Sequence, residues 1–351
     1  MRLMLSMIYR PNTPRARLAR WLPTAFVANG LVFAVAAILA CVTGLNVAHA
    51  DDYPNKPIRL IIPYPAGGGI DVVARIFQQK LGDLLGQQIV IENRPGASGA
   101  MGAEVVSKSD PDGYTLLFCA GDFITIPQLM PQRTFSPMKE LLPVAMVTDS
   151  PMVLVASANA PFSDVKSVVE AAKANPNGLA YATPGLGTVN NVIGQWIAVS
   201  AHIKMQQISY RSGPDAAVGI AAGEVPLGIV QPVAVYPGFV EAGKIKVIAL
   251  TGAQRPDFAP PAWSTLADGG LPVDATLWLG MFAPLGTPDA VVIKLDKAVS
   301  QIVQDGDIRK RMNDTGINPQ HIGPAAFAER IRSDATRYEA IIREAGMRFE
   351  Q

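Results

Sequence analysis

The chain has 351 residues, 49% of them hydrophobic, and its 30 basic residues nearly balance 29 acidic ones. This balance argues against a nucleic-acid partner, because nucleic-acid binding requires a strongly basic patch or stripe. Two cysteines and three histidines show no metal-ligand spacing, so a metal centre is not expected.

The first 50 residues have the three parts of a secretory signal peptide. Five arginines in the first 20 residues precede an apolar run at 25–47, and the small-x-small motif AHA stands at 48–50. We expect cleavage after Ala50, and an uncleaved N-terminal membrane anchor is the alternative. Cleavage would leave 351 − 50 = 301 residues, 25 basic against 29 acidic, with Cys119 as their one cysteine.

Strand and helix patterns alternate after position 57. Short β-branched runs at 58–63, 88–93 and 114–120 predict strands, and amphipathic stretches at 70–85 and 99–109 predict helices between them. This β-α-β-α-β order predicts a mostly parallel sheet covered by helices.

A second α/β series begins near position 152. The strands predicted in it are 152–157, 179–183, 205–210, 227–230 and 245–250, and the helices are 164–174, 187–199, 214–222 and 233–242. Ser163 is the expected N-cap of the first of these helices. A further strand at 277–284, a helix beginning near Pro288 and helices near 324–345 complete the chain.

Two α/β units with C-terminal helices left over predict a discontinuous first lobe. We expect residues 51–150 together with 280–351 to form lobe 1, and residues 151–279 to form lobe 2. In open α/β sheets ligands bind at the carboxyl ends of the strands, so the cleft between the lobes is the expected binding site.

A glycine-rich turn, GGG at 67–69, separates the first predicted strand from its helix. Such a turn can direct backbone N–H groups at an anion. The dinucleotide fingerprint would need glycine at Val72, and no Gly-Lys-Ser/Thr follows, so neither a dinucleotide site nor a P-loop is predicted. A tight turn that binds no ligand is the alternative.

A second turn of the same kind, PGLGT at 184–188, follows the strand predicted at 179–183 and leads into the next helix. Two such turns that face each other across a cleft would supply two sets of N–H donors and no nucleophile. This arrangement predicts a site that binds a small anion.

Candidate catalytic groups are few. Ser98 lacks the spacing of a nucleophile elbow, and no paired histidine accompanies it. Asp71 and Asp122 could form a carboxylate pair, or could be separate capping or solvated residues. Arg211 could hold a carboxylate bidentately, or could be a solvated edge residue.

Four stretches carry a family resemblance: YPNKPIRLIIPYPAGGGIDVVAR at 53–75, IENRPGASGAMGAEVVSKSDPDGYTLLF at 91–118, YATPGLGT at 181–188 and LWLGMFAPLGTP at 277–288. They resemble the substrate-binding proteins of tripartite tricarboxylate transporters, also called Bug receptors. The resemblance implies two Rossmann-like α/β lobes in the type II Venus-flytrap fold of periplasmic binding proteins, without catalysis or cofactor. It also implies a periplasmic monomer that captures a di- or tricarboxylate or an aromatic acid for membrane permease subunits.

The resemblance also implies which residues form the site. In this family the loop after the first strand holds a ligand carboxylate through backbone N–H groups and ordered water. Gln231 stands where an acidic residue is frequent, so we expect a ligand without an amino group. The implied site residues are Tyr64, Ala66, Gly67, Gly68, Asp71, Ala120, Gly121, Asp122, Thr183, Gly185, Gly187, Thr188, Asn191, Tyr210 and Gln231, with Ala66, Gly67 and Gly68 as the expected amide donors.

Two other functions stay open at this point. An exported enzyme could use Asp71 or Asp122 as a general base on a small carboxylate. A sensory receptor could bind the same ligand and signal to a membrane partner instead of a permease.

Overall fold

The computed structural model describes residues 53–130 and 134–347. The predicted signal peptide and its cleavage site, at residues 1–50, lie outside the described residues. Within the described ranges, no helix is long and apolar enough to cross a membrane.

Strands and helices alternate along most of the chain, as the sequence patterns predict. The strands are β1 (Ile58–Ile62), β2 (Ile89–Asn93), β3 (Thr115–Ala120), β4 (Leu141–Pro151), β5 (Val153–Ser157), β6 (Leu179–Thr183), β7 (Met205–Ser209), β8 (Leu227–Val230), β9 (Ile245–Leu250), β10 (Thr276–Pro284) and β11 (Pro319–Ile322). The helices are α1 (Gly69–Leu85), α2 (Ala100–Ser107), α3 (Ile126–Leu129), α4 (Pro137–Glu140), α5 (Val165–Ala174), α6 (Val189–Ala201), α7 (Gly213–Ala222), α8 (Gly238–Glu241), α9 (Asp289–Gln304), α10 (Gly306–Asn313) and α11 (Pro324–Glu344).

The first sheet has six strands in the order β11-β4-β10-β3-β1-β2. β1 pairs in parallel with β2 and β3, whereas β10 runs antiparallel to both β3 and β4, and β11 runs antiparallel to β4. The expectation of a mostly parallel sheet is therefore correct for β1–β3 and wrong for the rest of the sheet. The reason is that β10, from the C-terminal part of the chain, enters between β3 and β4 in the opposite direction.

The second sheet has five strands in the order β7-β6-β8-β5-β9. β6 pairs in parallel with β7 and β8, and β5 runs antiparallel to β8 and β9. All of β5–β9 lie within the predicted lobe 2. β10 begins at Thr276, before the predicted boundary at 279/280, and belongs to the first sheet. The two lobe boundaries stay a prediction.

The chain crosses between the sheets at two places that lie side by side. Met152 connects β4 to β5, and residues 251–275 connect β9 to β10. Thr251 is fully buried and joins the two crossings: its hydroxyl accepts from the Met152 amide at 2.9 Å and donates to the Ala275 carbonyl at 2.6 Å. The Thr251 backbone also bonds to Met152 and Ala275, at 3.0 and 2.9 Å.

Replacing this hydroxyl should loosen the junction. In Thr251→Val the buried Met152 amide loses its acceptor, which costs about 1–3 kcal/mol of unfolding free energy. Denaturant unfolding of the purified protein measures this loss. Thr336→Val, at an exposed position of α11, is the matched control and should change the unfolding free energy by less than about 0.5 kcal/mol. Equal effects of the two variants would contradict the role given to Thr251.

Two helix predictions need correction. α5 is capped by Asp164 and not by Ser163, because the Asp164 carboxylate accepts from the Ser167 amide at 2.7 Å in a reciprocal capping box. The helix predicted at 233–242 is instead a short 3₁₀ turn, Pro232–Ala234, and the four-residue α8. Pro237 stands between them, and proline cannot donate the hydrogen bond that a continuous helix needs there.

An aromatic cluster fixes the segment after β3. Phe123 packs edge-on against Phe282 of β10 with ring centroids 5.0 Å apart, and Trp278 packs in the same way against Phe327 of α11, also at 5.0 Å. The segment Gly121–Thr125, a 3₁₀ turn, is buried throughout. It therefore has a rigid support at the carboxyl end of β3.

Candidate functional site

A cavity of about 260 Å³ lies between the loops of the two sheets. Its walls come from the loops that follow β1, β2 and β3 on one side and β6, β7 and β8 on the other, with Leu277 of β10. These loops all leave the carboxyl ends of their strands, which is where the sequence predicted the cleft.

Three helices begin at this cavity. Gly69 is the first residue of α1 and Gly213 of α7, and Thr188 is the N-cap of α6; all three line the cavity. The first amides of a helix have no partner within the helix and carry partial positive charge. The cavity therefore has electropositive backbone on both sides.

The loop after β1 is held from behind by Asp71, which is buried and does not line the cavity. The Gly67 amide and Arg75 Nε donate to Asp71 Oδ2, at 2.9 and 2.8 Å, and Asn93 Nδ2 donates to Oδ1 at 3.0 Å. Asn93 also donates to the Tyr64 carbonyl at 3.1 Å. Burial acts to raise the pKa of Asp71, but these hydrogen bonds outweigh it and leave the pKa lowered. Asp71 thus shapes the loop, and it is not placed to act as a base in the cavity.

Of the three predicted amide donors, Gly68 lines the cavity, and ligand contact by Ala66, Gly67 or Gly68 stays a prediction. The Gly67 amide bonds to Asp71, and Ala66 and Gly67 do not line the cavity. Gly68, Gly69 and Ile70 do line it, and no side chain caps the helix there. The amides of Gly69 and Ile70 have no hydrogen-bond partner among the described residues.

Asp122 is 4% exposed and lies in the cavity wall at the end of β3. Its Oδ1 accepts from the Val189 amide, in the first turn of α6, at 2.6 Å. Burial raises the pKa of Asp122 to about 6, although this bond and the neighbouring Tyr64 hydroxyl act to lower it. The Tyr64 hydroxyl is itself buried and has no partner in hydrogen-bonding geometry among the described residues.

Two further hydrogen bonds join the same loops across the cleft. The Thr125 hydroxyl shares its proton between the Asp122 carbonyl at 2.7 Å and the Gly187 carbonyl at 2.9 Å, and Ser98 Oγ donates to the Leu186 carbonyl, also at 2.9 Å. Together with the contact between Asp122 and Val189, they bring the loops after β2 and β3 against the turn before α6.

On the second side, three polar side chains near the start of α6 hold the wall in place, and two of them, Thr188 and Asn190, line the cavity. Thr188 Oγ1 donates to the Gly185 carbonyl at 2.8 Å, and Asn190 Nδ2 donates to the Ile229 carbonyl at 2.9 Å. The Asn191 amide group donates to the Tyr181 hydroxyl at 3.0 Å and does not line the cavity.

Six of the fifteen predicted site residues line the cavity: Tyr64, Gly68, Asp122, Gly185, Thr188 and Gln231. The other nine do not: Ala66, Gly67, Asp71, Ala120, Gly121, Thr183, Gly187, Asn191 and Tyr210. Ligand contact by any of them stays a prediction.

The turn after β7 contributes lining residues that the predicted site omitted. The Tyr210 hydroxyl lies near Glu224 Oε2, at 3.3 Å, whereas Arg211 and Ser212 line the cavity. Ser212 caps α7 by accepting from the Asp215 amide at 3.3 Å. The sequence Ser-Gly-Pro-Asp is a helix-start signal and could have identified this third helix terminus.

The buried carboxylate Asp122 predicts a pH dependence of stability. An aspartate in the unfolded chain titrates near 3.8, and Asp122 in the folded protein near 6. The folded state therefore binds the proton more tightly, so the contribution of Asp122 to the unfolding free energy is largest below pH 4 and is lost as pH rises through 6. Across this window the loss amounts to at most about 3 kcal/mol.

Asp122→Asn should lack this loss, so the difference in unfolding free energy between wild type and variant should shift by that amount between pH 4 and 7. The nearby Tyr64, Cys119 and Tyr338 have raised pKa values and stay neutral in this range. Denaturant unfolding at each pH provides the measurement, and a difference that does not change with pH would contradict the assignment.

Among the described residues, no group of three or more His, Cys, Asp or Glu side chains could hold a metal ion. Cys119 is buried and unbridged. The cavity wall thus presents backbone N–H groups, hydroxyls and side-chain amides around one buried carboxyl group, that of Asp122.

Comparison with known proteins gives a consistent result. The family model described as "Tripartite tricarboxylate transporter family receptor" matches residues 73–347. The solved structure of the periplasmic binding protein BugD is 27% identical, with a TM-score of 0.76, and the match covers 85% of this chain and 100% of BugD.

Two proteins of Rhodopseudomonas palustris are similar and were solved with ligands. Rpa4515 with adipate is 25% identical with a TM-score of 0.79, over 85% of this chain and all of that one. MatC with bound malate is 28% identical with a TM-score of 0.76, over 83% of this chain and all of that one. These matches confirm the predicted two-lobed α/β fold of periplasmic binding proteins.

Proposed function

Because the chain belongs to the family of tripartite tricarboxylate transporter receptors, we propose that it captures a small carboxylate in the cavity between its sheets and delivers it to membrane permease subunits. The predicted resemblance to Bug receptors is confirmed by the family match and by the likeness to BugD. Receptors of this family bind solutes and are not enzymes, so the prediction of no enzymatic activity is confirmed and the exported-enzyme alternative is set aside.

One observation supports a carboxylate above all: the unpaired first-turn amides of α1 belong to residues that line the cavity. A hydrogen bond from an amide to a carboxylate is charge-assisted and contributes about 1.5–3 kcal/mol. Several such bonds, offset by the cost of ordering the ligand, are compatible with micromolar affinity, about −8 kcal/mol. The starts of α6 and α7 on the opposite side would hold the far end of the ligand.

The relatives support the same ligand class and location. Adipate and malate, the ligands of the two Rhodopseudomonas palustris proteins, are both dicarboxylates. BugD is a periplasmic binding protein, which supports a periplasmic location for this chain after export. We also propose that it acts as a monomer, which sedimentation analysis would test.

A thermal-shift screen against mono-, di- and tricarboxylates and aromatic acids tests the ligand class. A ligand that binds the folded state raises its stability by mass action, by about 2.7 kcal/mol at 100 times the dissociation constant. We expect at least one carboxylate to raise the melting midpoint and its amide derivative not to. If no acid in the panel raises the midpoint, the proposal is wrong. Co-purification with permease subunits from the native membrane tests delivery and distinguishes it from sensing.

A further inference from the structure

Capture of a ligand carboxylate does not by itself account for the acid in the cavity wall. Asp122 is 4% exposed, and the Val189 amide occupies its Oδ1. The Tyr64 hydroxyl is the neighbouring side chain that acts on this carboxyl as a donor, because it lowers the pKa of Asp122. An ionised carboxylate in a cavity of about 260 Å³ would repel the carboxylate of a bound acid.

No basic side chain of the cavity wall compensates this charge closely. Arg211 is the one cationic residue among the lining residues that the structure describes, and its side chain is 92% exposed and lies 3.7 Å from Asp215. The groups nearest Asp122, the Tyr64 hydroxyl and the Cys119 thiol, are neutral at physiological pH because burial raises their pKa values. Apart from the Tyr64 hydroxyl, a donor for Asp122 would therefore come from the ligand.

Resting on the proposed function, we propose that the ligand carries a hydrogen-bond donor, a hydroxyl or an ammonium group, beside its carboxylate, and that Asp122 Oδ2 accepts this donor. A donor between the Asp122 carboxylate and the ligand carboxylate gives Asp122 a hydrogen bond and separates the two negative charges. The expectation of a ligand without an amino group rested on Gln231, in the wall formed by the second sheet. Asp122 supplies a carboxylate from the opposite wall. A ligand ammonium group therefore has an acidic partner even though position 231 is a glutamine.

Tyr64 offers the alternative partner for Asp122. Its hydroxyl lies close enough for the charge of Asp122 to add to the effect of burial in raising its pKa, and its effect on the pKa of Asp122 is that of a hydrogen-bond donor. A carboxylate oxygen has two lone pairs, so Tyr64 and a ligand donor can both bind to Oδ2.

Calorimetry with matched acids tests the proposal. Four-, five- and six-carbon dicarboxylates are each used as the unsubstituted, the 2-hydroxy and the 2-amino compound, for example succinate, malate and aspartate. The wild type should bind the hydroxy or the amino form at least tenfold more tightly than the unsubstituted acid of the same length. The relative size of the two preferences distinguishes hydroxyl from ammonium.

Asp122→Ala should reduce this preference to less than threefold. In Asp122→Asn the amide oxygen stays on the Val189 amide and the NH2 group replaces Oδ2, so the preference for the amino form should be abolished. Both variants also weaken the contact with Val189, but that loss affects every ligand equally and cancels in the ratio. Tyr64→Phe should leave the preference within about twofold. A melting curve of each variant confirms that it folds.

The outcomes separate this inference from the proposed function. If the unsubstituted acids bind as tightly as the others, or if Asp122→Ala and Asp122→Asn keep the full preference, the inference is overturned while carboxylate capture stands. Loss of the preference in Tyr64→Phe alone would assign the recognition to Tyr64 and also overturn it. If no acid binds at all, the proposed function itself fails.

Discussion

Gly69→Val should abolish ligand binding and leave the protein folded. Gly69 begins α1 and faces Gln231 and Val233, which follow β8 in the second sheet. A Cβ atom at position 69 would collide with Gln231 Oε1 and lie 2.7 Å from Val233 Cγ1. The Gln231 side chain can swing away, but the short Val233 side chain cannot, so the two sides of the cleft must separate. The free amides of α1 would then lose the opposite wall of the cavity.

We expect a loss of affinity of at least about 100-fold, or 2.7 kcal/mol, for whichever acid the thermal-shift screen identifies. Calorimetry gives the affinity and a melting curve gives the stability. Gly306→Val is the matched control: Gly306 is the first residue of α10, and a Cβ atom there would meet nothing within 4 Å. Wild-type affinity in a folded Gly69→Val protein would show that the ligand does not need this close approach of the two sides.

Arg330→Ala should cost about 3–5 kcal/mol of unfolding free energy, because it leaves buried carboxylates without their counter-charge. Arg330 Nε donates to Asp334 Oδ2 and Nη1 to Asp149 Oδ2, each at 2.8 Å, and Nη2 donates to Thr276 Oγ1 at 2.7 Å. The side chains of Asp334 and Asp149 are only 3% and 12% exposed. Asp334 also accepts from Trp278 Nε1 at 3.0 Å. One guanidinium thus ties α11 to β4 and β10.

Arg332→Ala is the control on the same helix. Arg332 pairs with Glu329 at 2.6 Å, but both side chains are more than half exposed. Such a surface pair contributes about 0–1 kcal/mol. Chemical denaturation of both variants gives the comparison, and a loss at Arg330 no larger than that at Arg332 would contradict the structural role of the buried cluster.

Much of the fold could be predicted because each strand and helix carries its own periodic pattern. Among the strands, the exceptions are β4 and β11, which no pattern indicated. β4 contains Pro143, and it tolerates this residue at an irregularity in its pairing with β10, where Pro143 lies opposite Phe282. β11 has four residues and pairs with β4 alone. Both depend on partners distant in sequence, which local patterns do not reveal.

For the site, the sequence indicated the correct loops but not which atoms face the cavity. Asp71 lies in the first turn of α1, directly after the predicted glycine turn, yet it does not line the cavity, and Asn93, 22 residues later, donates to its Oδ1. Asp122 meets Val189, 67 residues later, across the cleft. Glycine spacing can predict where a backbone turns, but the direction of each amide is set by such long-range bonds.

The junction at Thr251 has a consequence for how the cleft can open. Because one buried hydroxyl and two backbone bonds tie both crossings together, we expect them to bend as one flexure instead of moving as two independent linkers. We therefore expect the cleft to open by one principal motion, in which each sheet moves as a rigid body about this junction. A pair of spin labels, one on each sheet, would suffice to follow the whole motion as one distance distribution.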